Sequence, residues 1–160
     1  MQSQKLFGLN ICLAIAAMTG LSGAATTFTT ANAVNYAIGG KGYNKAAIAG
    51  GATPTVDGVT GLPITLTANK GTVVVWCLDA AGNVRALQGA TEALDASGNF
   101  LFAPQFPTVP DHLTAFAYSV HKAGATTVGT WTFGVSLWNA TGMTHTSTSL
   151  IALPTRPQTA

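Results

Sequence analysis

From residue 26 onward the chain is a series of short β-branched, aromatic or alternating runs, separated by turn residues at intervals of about 8–12 positions. The clearest run, 72–78 (TVVVWCL), is apolar throughout and predicts a strand buried on both faces. Two similar turns, DAAGN at 79–83 and DASGN at 95–99, carry Asp in the first position and Gly in the fourth. No helical periodicity interrupts the series. The pattern predicts an all-β domain over residues 26–160, a β-sandwich or jelly roll of about eight short strands.

Formal charge is scarce in this sequence. The 7 basic and 5 acidic residues make up 8% of the chain, whereas an ordinary soluble domain carries about 25%. A surface with so little charge predicts that partner molecules cover much of it. The net charge of +2 is scattered, and Lys41 and Lys45 form the only close basic pair, so nucleic acid is not an expected partner.

The first 25 residues differ from the rest because they are almost continuously apolar. They contain Lys5, the apolar run 6–18 (LFGLNICLAIAAM) and small residues at 22–24, which together resemble a secretory signal peptide. A membrane span is disfavoured, because the apolar run has 13 residues with Asn10 inside it, and a span needs about 20.

We interpret residues 1–25 as an N-terminal hydrophobic arm that is retained in the protein. As a helix, the arm would carry apolar side chains on more than one face, which an isolated surface helix does not tolerate. It is therefore predicted to pack against neighbouring subunits or a shell, and deletion of residues 1–24 is expected to abolish assembly while the β-domain stays folded. The predicted contact residues of the arm are Leu6, Phe7, Leu9, Ile11, Leu13, Ile15 and Met18.

Residues with catalytic or metal-binding chemistry are few and poorly spaced for either role. Asp111 and His112 are adjacent, but no nucleophile motif of the G-x-S-x-G type accompanies them. The three histidines, His112, His121 and His145, show no H-x-x-x-H spacing, and each Asp-containing turn supplies a single carboxylate where a calcium loop needs several. The sequence therefore predicts no enzyme activity, no metal, no cofactor and no small-molecule substrate.

The tryptophans and cysteines are interpreted mainly as core residues. Trp76 and Trp131 lie in strand patterns and are predicted to be buried, whereas Trp138 lies beside a turn and is predicted to be an exposed aromatic contact. Cys12 and Cys77 are too few for a disulfide framework and are interpreted as small buried hydrophobic residues.

Four stretches of running sequence resemble small virion structural proteins of tailed bacteriophages. They are TFTTANAVNYAIGGKGYNKAA (27–47), EALDASGNFLFAPQFPTVP (92–110), GTWTFGVSLWNATGMT (129–144) and LPTRPQ (153–158). The resemblance covers most of residues 26–158 and includes no catalytic motif.

The resemblance implies a capsid decoration or cement protein, a β-sandwich that lies on the capsid surface of the virion, commonly as a homotrimer. Its implied partners are the major capsid protein and copies of itself, without a membrane in the mature particle. Two alternatives stay open. One is a secreted bacterial β-sandwich, such as an adhesin or carbohydrate-binding module, with a cleaved signal peptide; the other is a head-fibre or tail-associated structural protein of the phage.

Overall fold

The fold is built from strands alone in the residues that the computed structural model describes, which are 9–154 and 156–157. All pairings between these strands are antiparallel. The prediction of an all-β fold is confirmed. The described strands number thirteen instead of about eight, because several are pieces of only two or three residues. In chain order they are β1 (Ile11–Cys12), β2 (Met18–Thr19), β3 (Thr27–Thr30), β4 (Val34–Ile38), β5 (Lys41–Lys45), β6 (Gly51–Ala52), β7 (Thr65–Thr67), β8 (Lys70–Leu78), β9 (Val84–Gln88), β10 (Glu92–Ala93), β11 (Thr114–Ala123), β12 (Thr130–Thr132) and β13 (Met143–Ser149).

A five-stranded sheet lies at the centre of the molecule. Its order is β10–β8–β11–β13, and β9 also pairs with β8. The two longest strands, β8 and β11, lie side by side in the middle, and a bulge between Ala115 and Ala117 shifts their register once. As the apolar run 72–78 predicted, β8 is buried from Gly71 to Leu78.

The two faces of this sheet support separate hydrophobic cores. The first face carries Trp76, Ser119 and His121, and it packs against three smaller sheets, β1–β4–β5, β2–β3–β6 and β7–β12. The second face carries Val75 and Val120 and is covered by irregular chain between β10 and β11 and by the tail after β13. The covering side chains on the second face are Phe100, Phe106, Val109, Leu113, Leu150 and Leu153.

The hairpin β4–β5 follows directly from its turn. Gly39 and Gly40 both have positive φ, of 56° and 79°. A two-residue hairpin turn of the I′ type requires that conformation in both positions, and glycine adopts it without steric cost. The sequence of residues 33–48 (AVNYAIGGKGYNKAAI) predicts this hairpin with a glycine turn, and the hairpin is present, with Tyr36 opposite Tyr43 in register.

The N-terminal segment is part of the β-fold, and the prediction of a helical arm is wrong for residues 9–25. These residues form β1, β2 and bends, with β1 paired to β4 and β2 paired to β3. Cys12, Ala16, Met18 and Leu21 are buried in the first core. No described residues form a helix long and apolar enough to cross a membrane.

Candidate functional site

Two histidines meet inside the first core, although 24 residues separate them in the chain. His121 on β11 and His145 on β13 are cross-strand partners, and their Nδ1 atoms lie 2.7 Å apart. On its other side His121 Nε2 lies 2.6 Å from Ser119 Oγ. Since residues two apart on a strand point to the same face, β11 places Ser119 and His121 in one row.

The hydrogen bonds of this cluster have only one self-consistent direction. The Trp138 carbonyl can only accept, so His145 Nε2, at 2.9 Å, must carry the proton. In a neutral His145 the Nδ1 atom is then an acceptor, and His121 Nδ1 must donate to it. His121 Nε2 consequently accepts from the Ser119 hydroxyl, and Ser119 Oγ accepts from the Trp76 indole N–H at 2.8 Å. We call this directed chain of five residues the histidine relay.

Aromatic rings enclose the two imidazoles. Trp131 and Trp138 lie nearly parallel to His121, with ring centroids 5.4 and 5.8 Å away, and Phe133 meets it edge-on at 5.2 Å. The indole N–H groups of both tryptophans are bonded as well, Trp131 to the Leu137 carbonyl and Trp138 to the Thr27 carbonyl. Every polar side-chain atom in the cluster therefore has a partner, which is what makes burial tolerable.

Both histidines are held neutral by this environment. Burial lowers the pKa of His121 well below its ordinary value of 6.5, and the nearby His145 lowers it further. Burial also lowers the pKa of His145, to about 4, although the bond to the Trp138 carbonyl favours the charged form. A proton added to His145 would set its Nδ1–H against the Nδ1–H of His121, and a proton added to His121 would set its Nε2–H against the Ser119 hydroxyl proton, so either protonation requires the relay to rearrange.

The arrangement suits a structural network better than catalysis. The Ser119–His121 distance would suit a nucleophile and its base, but both residues are fully buried beneath the aromatic rings. Within residues 9–154 and 156–157, no three His, Cys, Asp or Glu side chains converge as metal ligands do. His112 is exposed in the loop before β11 and makes no contact with the relay.

The seven predicted contact residues of the arm have different environments. Leu6 and Phe7 lie outside the described residues. Leu9, Leu13 and Ile15 are exposed, in line with a contact role, whereas Ile11 is half-buried and Met18 is buried in the core. The alternation arises because the segment is extended, so successive side chains point to opposite sides.

The prediction of Trp138 as an exposed aromatic contact is wrong. Its side chain is 1% exposed and lies among His121, Trp131 and Phe133. The bond from its indole to the Thr27 carbonyl, 111 residues away, fixes it in the core. The predictions that Trp76 and Trp131 are buried are confirmed, and Cys12 and Cys77 are free and buried.

The two similar turns have the hydrogen bonds that their sequences predict. In each, the Asp Oδ1 atom accepts backbone N–H bonds from the residues two and four positions later. The other oxygen accepts the side-chain amide of the closing asparagine, Asn83 or Asn99. Because the carboxylates of Asp79 and Asp95 each close their own turn through these bonds, turn formation explains both motifs, and Asp79 Oδ2 also accepts from Arg85 at 3.4 Å.

Large apolar side chains are unusually exposed in several loops. Val128 is 90% exposed and Phe102 71% exposed, and neither is beside a charged residue in the chain. The exposed large apolar residues are Leu9, Leu13, Ile15, Val56, Val59, Leu62, Leu101, Phe102, Val128, Val135, Leu137 and Ile151. Exposed apolar side chains mark a contact surface where they cluster, and Leu101 and Phe102 are neighbours in the chain.

Asp57 is a buried carboxylate that the sequence pattern did not distinguish from other turn residues. Its Oδ1 accepts the backbone N–H groups of Val59 and Thr60, and its Oδ2 accepts that of Gln88 on β9 at 2.7 Å. These bonds hold the loop that carries Val56 and Leu62 against the central sheet, so the exposed apolar side chains of this loop stand on a fixed backbone.

Comparison with known proteins gave no match to a family model, a curated protein or a solved structure.

Proposed function

We propose that this protein is a structural protein of a tailed-bacteriophage virion, and specifically a capsid decoration or cement protein. It lies on the capsid surface and contacts the major capsid protein and copies of itself. The observation that carries the proposal is the set of exposed apolar side chains on a molecule that has almost no charge to keep such a surface in water.

The physical role of such a protein is to bury surface at many equivalent places. A specific contact covers about 800 Å² per partner, and buried apolar area contributes about 25 cal/mol per Å² before the costs of association. Contacts that are modest one at a time become strong when a molecule touches several subunits together. The exposed apolar side chains at 56–62, at 101–102 and at 128, 135 and 137 offer several contact regions on one chain.

The layered packing of the central sheet supports a β-sandwich-like architecture, as the resemblance implies. Three of the resembling stretches belong to the packed domain. Residues 27–47 form β3, β4 and β5, 92–110 include part of the cover of the second face, and 129–144 include β12 and the aromatic wall of the histidine relay. A homotrimer remains the expected assembly of this class.

The alternative of a secreted protein with a cleaved signal peptide is disfavoured by the core. Cleavage after residue 24 would remove Cys12, Ala16, Met18 and Leu21, which are buried in the first core. A head-fibre or tail-associated protein would keep these residues, and copy number distinguishes it from a decoration protein.

The test is to locate and count the protein in purified virions by cryo-electron microscopy and quantitative mass spectrometry. A copy number comparable to that of the shell protein, with density on the outer surface, is the expected result. A few copies per particle would indicate a fibre or tail role, and absence from particles would refute the virion assignment.

Binding of purified protein to shells that lack it tests the surface itself. Val128→Asp and Phe102→Asp should each weaken binding at least tenfold without lowering the melting temperature, because both side chains are exposed. Ala80→Asp, in an exposed turn, adds the same charge where no large apolar side chain is lost and serves as the matched control. Equal binding by all four proteins would argue against the apolar loops as the contact.

A further inference from the structure

The strand β13 forms an edge of the central sheet, and part of its main chain has no backbone partner among the described residues. The Gly124 N–H donates to the Gly142 carbonyl, and the Leu150 N–H donates to the Phe116 carbonyl. In an antiparallel ladder the paired positions alternate, so the even-numbered residues between Gly142 and Leu150 bond to β11. The N–H and C=O groups of His145, Ser147 and Ser149 therefore point away from the sheet, and no other described backbone group bonds to them.

This edge carries no lysine, proline or bulge that would keep it from pairing with another chain. Proteins commonly place lysines, prolines or bulges there to prevent pairing with other chains. The edge strand β5 follows that rule, with Lys41 and Lys45 at its two ends. In contrast β13 pairs with β11 without a register shift, and residues 123–155 contain no Lys, Arg, Asp, Glu or internal proline before Pro154.

The neighbouring strand β2 does not use the free main-chain groups. The Met18 N–H donates to Ser149 Oγ at 2.7 Å, and Ser147 Oγ donates to the Met18 carbonyl at 3.3 Å. Both contacts go through serine side chains, which point to the first face of the sheet. Just beyond β13 the Cys12 N–H donates to the Ile151 carbonyl, so the N-terminal segment flanks that end of the edge, and among the described residues the backbone groups of His145, Ser147 and Ser149 have no backbone partner.

We propose that β13 pairs antiparallel with β13 of a second copy, about a two-fold axis at Ser147, so that two central sheets become one. Ser147 faces Ser147 across the axis, and His145 faces Ser149 on both sides. Each facing pair exchanges two backbone hydrogen bonds, as hydrogen-bonded pairs in antiparallel sheets do. Thr146 of one copy then lies opposite Thr148 of the other on the exposed face of the strand, a favourable cross-strand pair.

A second copy fits this edge because the edge is self-complementary and carries no charge. A two-fold contact brings each side chain near its own equivalent, so any charged group would meet the same charge. The uncharged run 123–155 removes that repulsion. The inference rests on the proposed function, in which copies of the protein contact each other, and it names the strand through which two copies meet. The three-fold contacts of a trimer would use other surfaces.

Engineered disulfides test the register. Paired across the two-fold axis without hydrogen bonds, residues 146 and 148 would have Cα atoms about 4.5 Å apart, within disulfide range. A mixture of Thr146→Cys and Thr148→Cys proteins should form the mixed disulfide dimer at least tenfold faster than either variant alone forms a disulfide dimer with itself. In the proposed pairing residue 146 lies diagonally across from residue 146 of the other copy, at about 7–8 Å, which is too far for a disulfide. The native Cys12 and Cys77 are buried, which keeps their background low. No mixed disulfide, or equal rates for the mixture and the single variants, would overturn the proposed pairing.

Amide hydrogen exchange gives a second readout on the unmodified protein. The amides of His145, Ser147 and Ser149 should become protected as protein concentration rises, while those of Thr144, Thr146 and Thr148 are protected at every concentration by β11. Thr146→Lys places like charges across the contact and should abolish the concentration dependence, and Ala125→Lys, exposed outside the strand, should not. Fast exchange at the three outward amides at all concentrations would refute the contact.

These solution measurements are independent of shell binding. Protein that binds shells but neither cross-links nor gains protection would overturn the β13 contact and leave the proposed function standing. Protein that pairs in solution but is absent from virions would overturn the proposed function and leave the β13 contact standing.

Discussion

The two faces of the central sheet are built from the same strands but by different rules. On the first face, Ser119 and His121 lie among aromatic rings, and their hydrogen bonds must run in one direction. On the second face, Val73, Val75 and Val120 make apolar contacts beneath irregular chain. The difference teaches that one layer of this protein requires specific donors and acceptors, while the other requires mainly apolar volume.

Truncation of the chain at either end should show the largest difference in stability between the two faces of the central sheet. Removing residues 1–24 takes four buried residues out of the first core, so no cooperative unfolding transition is expected by calorimetry or circular dichroism. This reverses the sequence-based expectation that the β-domain survives the deletion. Of the described residues in the second core, removing residues 151–160 takes Leu153 alone, and it should leave a cooperative transition at lower temperature. A folded protein lacking residues 1–24 would contradict the importance of the first face.

Acid should weaken the first face selectively. The pKa values of both relay histidines are lowered in the folded protein, so below pH 6.5 the unfolded chain binds protons that the folded chain does not. Stability is therefore full above about pH 7 and falls as pH decreases, by about 1.4 kcal/mol per pH unit for each histidine, with the His145 contribution ending near pH 4. Urea unfolding at half-unit steps between pH 7.5 and 4.5 measures the slope.

Two variants sharpen the pH measurement. His145→Gln should halve the slope, because one titrating group is lost, and His112→Gln serves as the matched control, since His112 is exposed and outside the relay. The aspartates Asp57, Asp79 and Asp95, whose pKa values are lowered from 3.8 in the folded protein, add to the slope only below about pH 5, so the slopes of the variants are compared above pH 5. A flat wild-type profile would show that the histidines are not held neutral.

Adjacent residues on β11 point to opposite faces of the sheet, so substituting each one compares the stability contributed by the two faces at pH 7.5. His121→Leu keeps the volume but leaves the His145 Nδ1 acceptor without its donor and the Ser119 hydroxyl without its acceptor, which should cost about 2–4 kcal/mol of unfolding free energy. Val120→Ala on the second face removes buried methyl groups only and should cost about 2 kcal/mol. A smaller cost for His121→Leu than for Val120→Ala would mean that the relay adds no specific stability.

The smallest effect is expected in the cover of the second face. Phe106 meets Tyr118 edge-on with centroids 5.1 Å apart, a pair worth about 0.5–1.5 kcal/mol beyond its area. Phe106→Leu should therefore lower stability by about 1 kcal/mol, measured by urea unfolding. A loss as large as that of His121→Leu would show that the irregular cover is as demanding as the relay.

Local patterns in the sequence predicted the parts of the fold that local chemistry determines. The apolar run of β8, the glycine hairpin and the Asp–Gly turns each contain their own explanation within a few residues. Trp138 could not be placed in this way, because its burial depends on a carbonyl 111 residues away. The apolar run 6–18 favours a helix by itself, yet the backbone of residues 11–12 within it pairs with β4, which lies elsewhere in the chain.

The candidate site was less predictable than the fold for the same reason. Ser119 and His121 are two positions apart on one strand, and this spacing in the sequence indicates that their side chains share a face. The pairing of His121 with His145 depends on the register of β11 against β13, which no spacing rule for metal ligands would reveal. Asp57 likewise acquires its role only when Gln88 is brought beside it.

The long stretch without charge, residues 123–155, has a consequence for how any contact through it would respond to ionic strength. Dissolved salt weakens interactions between exposed charges within a Debye length of about 8–10 Å, but a surface without charges has nothing to screen. Strongly hydrated salts such as sulfate favour apolar burial instead. Contacts made by Val128, Val135 and the edge of β13 should therefore persist in concentrated salt, where assemblies held by surface ion pairs dissociate.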